Sequence, residues 1–380
     1  MRKIGSLSRY PYSTRQLSTC FDDKGNPTYP LAYKWQKAEN TKQQTAPVSA
    51  AWRPVPNCAP WEGILPVLPP VLSEIILNLP GEVQEKLEEV RLRHGRPLII
   101  GLAGEDCLVD RKGNLTKNCT QAYFVTGDDI QRVTQLVSGC SLYAFEEEIK
   151  NGFITLPGGH RVGLTGKTVL EKGRVKTLKY ISGLNIRIAR AVNNIAAPVL
   201  PYLLDYKLLN IYHTLIFSPP RCGKTTLLRD LIRQISNGIP NFNFPGLTVG
   251  LVDERSELAG CYRGVPQHDV GIRTDVLDGC PKAEGMIMLL RSMAPQVIAT
   301  DEIGGREDVS ALEEVFNAGV KIIVTVHGSS LTELTNRPAL NYLINLKLID
   351  RYVLLGRSKG NGTVEEIIDG KFMKPLEHSL

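Results

Sequence analysis

The stretch His213–Asp230, which reads HTLIFSPPRCGKTTLLRD, decides the fold of this chain. It begins with a short apolar run, Thr214–Phe217, which predicts a buried strand. A tight loop from Ser218 to Gly223 follows, and the residues from Lys224 onward predict a helix. Strand, loop and helix start in this order are typical of a Walker A phosphate loop, in which backbone N–H groups and the positive end of a helix surround phosphates.

The chemistry of this loop predicts a site for ATP and Mg²⁺. Lys224 would reach the β- and γ-phosphates, and the hydroxyl of Thr225 would bind Mg²⁺. The Walker A pattern begins with glycine, where this chain has Ser218, and the alternative interpretation is an incidental Gly-Lys-Thr in a loop. The predicted nucleotide-binding residues are Ser218, Pro219, Pro220, Arg221, Cys222, Gly223, Lys224, Thr225 and Thr226.

Apolar strands and helices alternate after the loop, which predicts an α/β domain with a mostly parallel sheet covered on both faces. Three predicted strands, Leu247–Val252, Gln296–Thr300 and Lys321–Val326, are each followed by acidic residues or a histidine. Arg351–Leu355 and Val364–Ile368 would add strands at the edge. Because open parallel sheets bind ligands at the carboxyl ends of their strands, the residues that follow the first three are site candidates.

Asp301 and Glu302 follow the second of these strands. In the Walker B role, Asp301 would hold Mg²⁺ through water, and Glu302 would orient or deprotonate the attacking water. The alternative is a helix N-cap with a solvated carboxylate. The phosphate loop upstream favours the catalytic interpretation.

The other two strand ends carry further catalytic candidates. Asp253 and Glu254, with Glu257, would form a second acidic cluster that positions Mg²⁺ or water, or simply the polar end of a strand. His327 would contact the γ-phosphate or join a water network, although a lone histidine at a strand end is often structural. Asp253, Glu254 and His327 therefore join Glu302 as candidate catalytic residues.

The composition predicts a globular, cytoplasmic protein. Of the 380 residues, 42% are hydrophobic and 22% are charged. The eight cysteines lack Cys-x-x-Cys spacing, which predicts reduced thiols, and no run of 18 apolar residues predicts a membrane span. The net charge of +6 permits a nucleic-acid partner without requiring one. No stripe of basic and aromatic residues is present, so nucleic acid is not the expected partner.

Four segments are predicted along the chain. Residues 1–60 lack sustained periodicity, which predicts a disordered extension or a start codon placed too far upstream. Residues 61–192 predict a smaller α+β domain of ordinary size. Residues 193–205 would be a linker, and residues 206–380 would form the phosphate-loop domain.

The smaller domain shows both helical and strand periodicity. Leu72–Leu79 and Val83–Leu92 have the spacing of amphipathic helices. Gly152–Lys167 alternates around a Pro-Gly-Gly turn, which predicts a hairpin. Arg174–Ile181 and Leu184–Ile188 predict two further strands.

Stretches spread over both predicted domains match one known family. They are EEVRLRHGRP (Glu88–Pro97), SLYAFEEEIKNGFITLPGGHRVGLTG (Ser141–Gly166), SGLNIRIAR (Ser182–Arg190), VDERSELAGCYRGVPQHDVG (Val252–Gly271), LLRSMAPQVIATDEIGG (Leu289–Gly305) and TVHG (Thr325–Gly328). From about Trp61 to its C-terminus, the chain resembles the stage III sporulation protein AA family. That family is related to the type II and type IV secretion and pilus-motor ATPases, in the additional-strand branch of the P-loop NTPases.

The resemblance implies a RecA-like ATPase, usually hexameric, that binds ATP between its N-terminal and nucleotide domains. It also implies arginines supplied by the N-terminal domain, and Arg161, Arg187 and Arg190 lie in segments that would supply them. Arg187 and Arg190 are therefore catalytic candidates. The family loop usually reads Gly-Pro-Pro-Gly-Cys-Gly-Lys-Thr, so Ser218 and Arg221 replace its first and second glycines.

The residues and the resemblance together predict a Mg²⁺-dependent, ATP-hydrolysing motor of the secretion-ATPase type. Several expectations come from the resemblance alone. They are a homo-hexamer, membrane-embedded channel proteins of a sporulation-associated secretion complex as partners, and a position at the inner face of a membrane. A nucleic-acid-linked P-loop ATPase and a non-hydrolysing, nucleotide-gated scaffold are the alternatives.

Overall fold

The structure is a computed structural model that describes residues 59–102, 104–139, 148–149, 152–190, 192–360 and 362–376, and a short antiparallel pair, Cys20–Phe21 with Pro27–Thr28. The chain divides into two compact units, Met1–Asn57 and Cys58–Leu380. The prediction for residues 1–60 lies almost wholly outside the described residues. Everything below concerns the second unit.

The N-terminal part of this unit is built on a seven-stranded sheet in which all neighbours are antiparallel. Its elements are a 3-10 helix Pro60–Val67, α1 Pro70–Leu77, α2 Gly81–Lys86, β1 Leu87–Arg93, β2 Ile99–Leu102, β3 Glu105–Val109, β4 Leu115–Thr116, α3 Gly127–Val137, β5 Phe153–Thr155, a 3-10 turn Pro157–Gly159, β6 Arg161–Glu171 and β7 Arg174–Arg187. The strand order is β4-β3-β2-β1-β7-β6-β5. Buried Ile64, Leu72 and Ile186 belong to the single core between helices and sheet.

The predicted hairpin over 152–167 is confirmed, because β5 pairs with β6 with Thr155 opposite Arg161. The two strands predicted over 174–188 are one continuous strand, β7. The helix predicted over Val83–Leu92 is wrong beyond Lys86, where α2 ends and β1 begins. Leu87 and Val90 are three residues apart in sequence, and both are buried because the β1–β2 ladder has a register shift between Leu87 and Glu89. That spacing imitates a helical face in sequence.

The C-terminal part contains the predicted α/β architecture. Its elements are α4 Leu200–Leu203, β8 Leu204–Asp205, β9 Asn210–Ile211, β10 Thr214–Ser218, α5 Lys224–Asn237, a 3-10 helix Pro240–Phe242, β11 Val249–Asp253, β12 Thr274–Asp278, α6 Lys282–Ser292, β13 Val297–Thr300, α7 Arg306–Asn317, β14 Lys321–His327, α8 Leu331–Thr335, α9 Pro338–Asn345, β15 Arg351–Gly356, β16 Thr363–Asp369 and β17 Lys374–Pro375. The main sheet has the order β12-β11-β13-β14-β10-β15-β16-β17. Its first six strands are mutually parallel and the last two pairings are antiparallel. The mostly parallel sheet is confirmed, and β12 is a strand that the sequence did not predict.

Helices cover both faces of this sheet. All five residues of β10 are buried, and they alternate between two cores. Ile216 belongs to the core that contains Leu227 and Leu231 of α5. Leu215 and Phe217 belong to the opposite core, with residues of α6 and α7. A strand buried on both faces has the continuous apolar sequence that β10 shows.

Strand order decides which residues meet at the carboxyl edge of the sheet. β14 lies between β10 and β13, so the strand that ends at His327 separates the strand before the phosphate loop from the strand before Asp301. Ser218 pairs with His327, and Thr300 pairs with Val324. The loop, the acidic pair and the histidine therefore converge at one edge.

Candidate functional site

The predicted phosphate loop, Ser218 to Gly223, begins without backbone strain. Ser218 is the last residue of β10 and has the extended backbone of that strand. Its Oγ lies 2.7 Å from the carbonyl oxygen of Pro219 and 3.2 Å from Nζ of Lys224. A serine at the position of the first glycine is therefore accommodated, because that position does not require a positive φ.

The second replaced glycine is different, because Arg221 has a φ of +60°. This is the left-handed region, which glycine tolerates and side-chain-bearing residues adopt at a cost. Gly223, at the N-cap of α5, has a φ of +81°, and a Cβ added there would lie 3.2 Å from Cα of Gly362. Arg357 completes the loop by donating from Nη2 to the carbonyl oxygens of Pro220, at 2.9 Å, and Arg221, at 3.1 Å.

Lys224 is buried at the start of α5 and faces the strand ends. Its Nζ lies 2.9 Å from Nδ1 of His327 and 3.3 Å from the carbonyl oxygen of Ser218. Burial lowers the pKa of Lys224, and the nearby Asp301 and Glu302 carboxylates oppose that shift. A cation in this setting favours an anionic ligand that would replace the polar contacts it makes here.

Asp301 and Thr225, the two predicted metal ligands, are in direct contact. Oγ1 of Thr225 donates to Oδ2 of Asp301 at 2.8 Å. The hydroxyl of Thr325, on the neighbouring β14, donates to the other carboxylate oxygen of Asp301. Thr325 is a site residue that the sequence analysis did not single out, although it lies in the matched stretch TVHG.

Glu302 is held from three sides. Its Oε1 lies 2.7 Å from Nε2 of His327, and its Oε2 accepts from Nη1 of Arg255 at 2.8 Å. Its backbone N–H donates to Oγ1 of Thr325 at 2.9 Å, with a φ of +52°. Lys224, His327 and Glu302 thus form a continuous chain of polar contacts from the phosphate loop to the predicted base.

Asp253 belongs to the same sheet edge, but its carboxylate is turned toward its own loop. The side chain is buried, and it accepts from the backbone N–H groups of Glu257 at 2.8 Å, Leu258 at 3.0 Å and Ala259 at 2.8 Å. Burial raises the pKa of Asp253, and the three N–H donors oppose that shift. In this arrangement Asp253 shapes the loop that carries residues 254–259.

Glu254 points elsewhere, since it forms an ion pair with Lys282 at the first residue of α6. Neither Asp253 nor Glu254 is therefore among the residues that contact Lys224, Thr225 or Asp301 in the described part of the chain. The catalytic roles predicted for Asp253 and Glu254 stay predictions.

Comparison with known proteins now identifies the family. The family model described as "Sporulation stage III, protein AA" matches residues 62–374. The chain belongs to this family. It is 46% identical over 306 residues, which are 80% of this chain and 94% of the relative, to stage III sporulation protein AA of Bacillus subtilis. The family membership predicted from the six stretches is confirmed.

More distant similarities extend beyond sporulation proteins. An uncharacterized protein, ycf45, of Porphyra purpurea is 28% identical over 195 residues, which are 50% of this chain and 32% of that protein. Among solved structures, the ATPase DotB of Legionella pneumophila has a TM-score of 0.47 at 15% identity, with 70% of this chain and 72% of that chain covered. The pilus retraction motor PilT with bound ADP has a TM-score of 0.47 at 12% identity, covering 79% of this chain and 82% of that one.

In this member of the stage III sporulation protein AA family, two of the three candidate arginines support the N-terminal sheet. Arg187 pairs with Glu89 on β1, with 3.3 Å between Nε and Oε1. Arg190 donates to the carbonyl oxygens of Glu85 and Leu87, where α2 gives way to β1. These contacts keep both side chains near the N-terminal sheet, and their predicted catalytic roles stay predictions.

Arg161 is the arginine that reaches the strand-end loop. Its Nη2 donates to the carbonyl oxygens of Arg255, at 2.8 Å, and Ser256, and its Nη1 lies 3.3 Å from Oε1 of Glu257. The guanidinium also lies 4.6 Å from the ring centroid of Phe153 on β5. One side chain of the N-terminal sheet therefore holds the loop that Asp253 shapes.

None of the helices in the described part of the chain combines the length and the apolar character that a membrane crossing requires.

Proposed function

We propose that this protein binds ATP with Mg²⁺ at the carboxyl edge of its parallel sheet and hydrolyses it. One observation carries the proposal: at the edge where the loop meets α5, Lys224 contacts His327 and His327 contacts Glu302, Thr225 contacts Asp301, and Thr325 bonds to both acidic residues. The types and order of these groups are those required for positioning and charge neutralisation in phosphoryl transfer.

The residues present fit a Mg²⁺ ion. Mg²⁺ in nucleotide sites takes one or two protein oxygens, together with phosphate oxygens and water. The hydroxyl of Thr225 and the carboxylate of Asp301 lie 2.8 Å apart and would supply that limited set. When bound, the ion would neutralise charge on the phosphates, while Thr325 orients the Asp301 carboxylate from its outer side.

The remaining side chains have distinct roles in this proposal. Lys224 binds the β- and γ-phosphates in place of its contacts to Ser218 and His327. Glu302 orients the attacking water and accepts its proton, and His327 holds the Glu302 carboxylate through Nε2. Since the cation and the base already lie at one edge of the sheet, the triphosphate would bind to groups that the fold has brought together.

The assembly and its location extend the proposal. We propose a homo-hexamer in the cytoplasm, docked on membrane-embedded channel proteins of a sporulation-associated secretion complex and energising that complex. Membership of the sporulation stage III protein AA family supports the sporulation context.

Phosphate release by the purified chain tests the proposal, with assembly state measured by light scattering with and without ATP and Mg²⁺. Lys224→Ala should abolish turnover. Glu302→Gln should retain ATP binding, measured by equilibrium dialysis, and lose turnover by about 10²–10⁴-fold, the usual contribution of a general base. Lys207→Ala and Glu314→Gln, which change exposed residues away from the site, should behave as the parent.

Three results would count against the assignment. Equal hydrolysis in the parent, Lys224→Ala and Glu302→Gln would remove the proposed roles. ATP binding without phosphate release in every assembly state would select the nucleotide-gated scaffold. Steep, salt-sensitive stimulation by DNA or RNA would favour a nucleic-acid-linked ATPase.

A further inference from the structure

The carboxylate of Glu302 has both oxygens engaged, and one partner comes from a loop that the catalytic scheme does not use. His327 occupies Oε1 at 2.7 Å, and Arg255 occupies Oε2 at 2.8 Å. A base that must take a proton from water needs an oxygen directed at that water. A guanidinium on Oε2 neutralises the carboxylate and fixes its orientation. Arg255 therefore restrains the group on which hydrolysis depends.

The ion pair between Arg255 and Glu302 can separate at a small electrostatic cost. The side chain of Arg255 is 64% exposed and that of Glu302 is 24% exposed, so separating them leaves no buried charge without solvent. Arg255 lies in the turn directly after β11, and the next residue, Ser256, has a φ of +53°. The backbone of Glu302 also lies in the left-handed region, with a φ of +52°. Both ends of the contact are thus carried by loop residues next to a positive φ or with one.

The loop that carries Arg255 contacts the β5–β6 hairpin through Arg161, and further along the loop Gln267 accepts from the backbone N–H of Gly158 between β5 and β6. Arg161 donates to the backbone carbonyl oxygens of Arg255 and Ser256 and pairs with Glu257. Arg161 is itself the first residue of β6, and it packs over Phe153 of β5. A displacement of the β5–β6 hairpin would therefore move the backbone of residue 255 and, with it, the guanidinium on Glu302.

Other contacts resist this movement a few residues further along the loop. Asp253 accepts three backbone N–H groups from residues 257–259, and Arg229 of α5 donates to the carbonyl oxygens of Glu257 and Leu258. Residues 257–259 of the loop are thus fixed to the nucleotide part of the chain. Arg161 holds the carbonyl oxygens of residues 255 and 256, and the Ser256 hydroxyl donates to Asp278 of β12, so movement of Arg161 acts most directly on the backbone of Arg255.

We propose that Arg255 is a positioning residue that restrains Glu302, and that Arg161 couples this restraint to the N-terminal sheet. The restraint holds the base turned from water until the β5–β6 hairpin moves. This inference rests on the proposed function, since it assigns a control to the same hydrolytic site.

The restraint is tested by measuring steady-state phosphate release by the full-length Arg255→Gln variant and by the parent. An exposed ion pair contributes about 0.2–1 kcal/mol, so its loss should raise kcat about 1.5- to 5-fold with KM for ATP unchanged. Arg255→Lys keeps the cation and should restore the parental kcat. Arg132→Gln, which breaks an exposed pair with Asp128 on α3, is the matched control and should change nothing.

Arg161→Gln tests the coupling. Arg161→Gln should also raise kcat. The double variant Arg161→Gln/Arg255→Gln should have the same kcat as Arg255→Gln alone, because Arg161 acts through Arg255. An unchanged kcat in Arg255→Gln overturns the restraint. A tenfold or larger fall in kcat also overturns it, since Arg255 would then be a catalytic residue. Additive increases in the double variant overturn the coupling.

Amide hydrogen exchange gives a readout that does not need hydrolysis. Arg161→Gln and Arg255→Gln should each speed exchange of the Glu302 N–H, while exchange in α3 stays parental. If the parent releases no phosphate in any assembly state, the proposed function fails. Unchanged exchange at Glu302 in both variants overturns the coupled restraint whether or not the parent hydrolyses ATP.

Discussion

Replacing Arg221 by glycine should stabilise the protein, although it removes a side chain from the phosphate loop. Arg221 has a φ of +60°, in the region where a Cβ meets its own backbone. Left-handed backbone costs a non-glycine residue about 1–2 kcal/mol. Glycine loses about 0.5–1 kcal/mol more chain entropy on folding. The difference predicts that Arg221→Gly raises the free energy of unfolding by about 0.5–1 kcal/mol.

The contacts around the residue should survive the change. The Arg221 side chain is exposed, and the hydrogen bond that Arg357 donates to residue 221 uses the backbone carbonyl oxygen. Arg221→Ala is the matched control, because alanine removes the guanidinium but keeps the Cβ and its strain. Its stability should stay within about 0.5 kcal/mol of the parent, as is usual for exposed positions.

The assay is urea unfolding followed by circular dichroism, with the m-value compared between variants so that a change in midpoint reports stability. Gly223→Ala provides the opposite test, because residue 223 has a φ of +81° and little room beside Gly362. It should destabilise by about 1–3 kcal/mol. The reasoning is refuted if Arg221→Gly proves no more stable than Arg221→Ala.

Two further outcomes follow from the buried histidines and from Thr225 and Asp301, the predicted Mg²⁺ ligands. Burial lowers the pKa of His160 and of His213 to about 4, below the unfolded value of about 6.5. The unfolded chain therefore binds these protons first, and the free energy of unfolding should fall by about 1.4 kcal/mol per histidine for each pH unit from 6.5 down to 4. His160→Asn should flatten that slope, and an unchanged slope would contradict the assignment. EDTA should abolish phosphate release and added Mg²⁺ should restore it. Thr325→Val, which removes the outer hydrogen bond to Asp301, should raise the Mg²⁺ concentration for half-maximal rate about 10–100-fold. An unaltered Mg²⁺ requirement would show that Thr325 does not orient the carboxylate.

The strand–loop–helix unit could be predicted because every signal for it is local. The apolar run before Ser218, the loop and the helix beginning at Lys224 are contiguous, and the structure has them in the predicted places. The same holds for the strands before Asp301 and His327, whose carboxyl ends must meet at one edge in a parallel sheet. Contacts among Lys224, Thr225, Asp301, Glu302 and His327 follow from that edge.

Local periodicity predicts the wrong element where tertiary pairing changes which residues of a segment are buried. The segment from Leu87 to Arg93 has helical spacing, but it forms β1 because it pairs with β7 in unbroken register and with β2 through one register shift. β12, Thr274–Asp278, is an edge strand with partly exposed residues, so it carries no continuous apolar run. The secondary structure of such segments depends on strands that are distant in sequence, and the periodicity of the segment carries no information about those strands.

By itself, the sequence determined the class of the fold, the position of the phosphate loop and the residues at three strand ends, because residue type and period are properties of short segments. Only the tertiary structure decided where those side chains point. It turned Asp253 onto the backbone of its own loop, and it placed Arg357 on the phosphate loop from 136 residues away. It also placed Arg161 in contact with the backbone of Arg255, and the Arg255 side chain in contact with Glu302. Side-chain direction depends on which loops pack against each other, and that packing is fixed only once both sheets have formed.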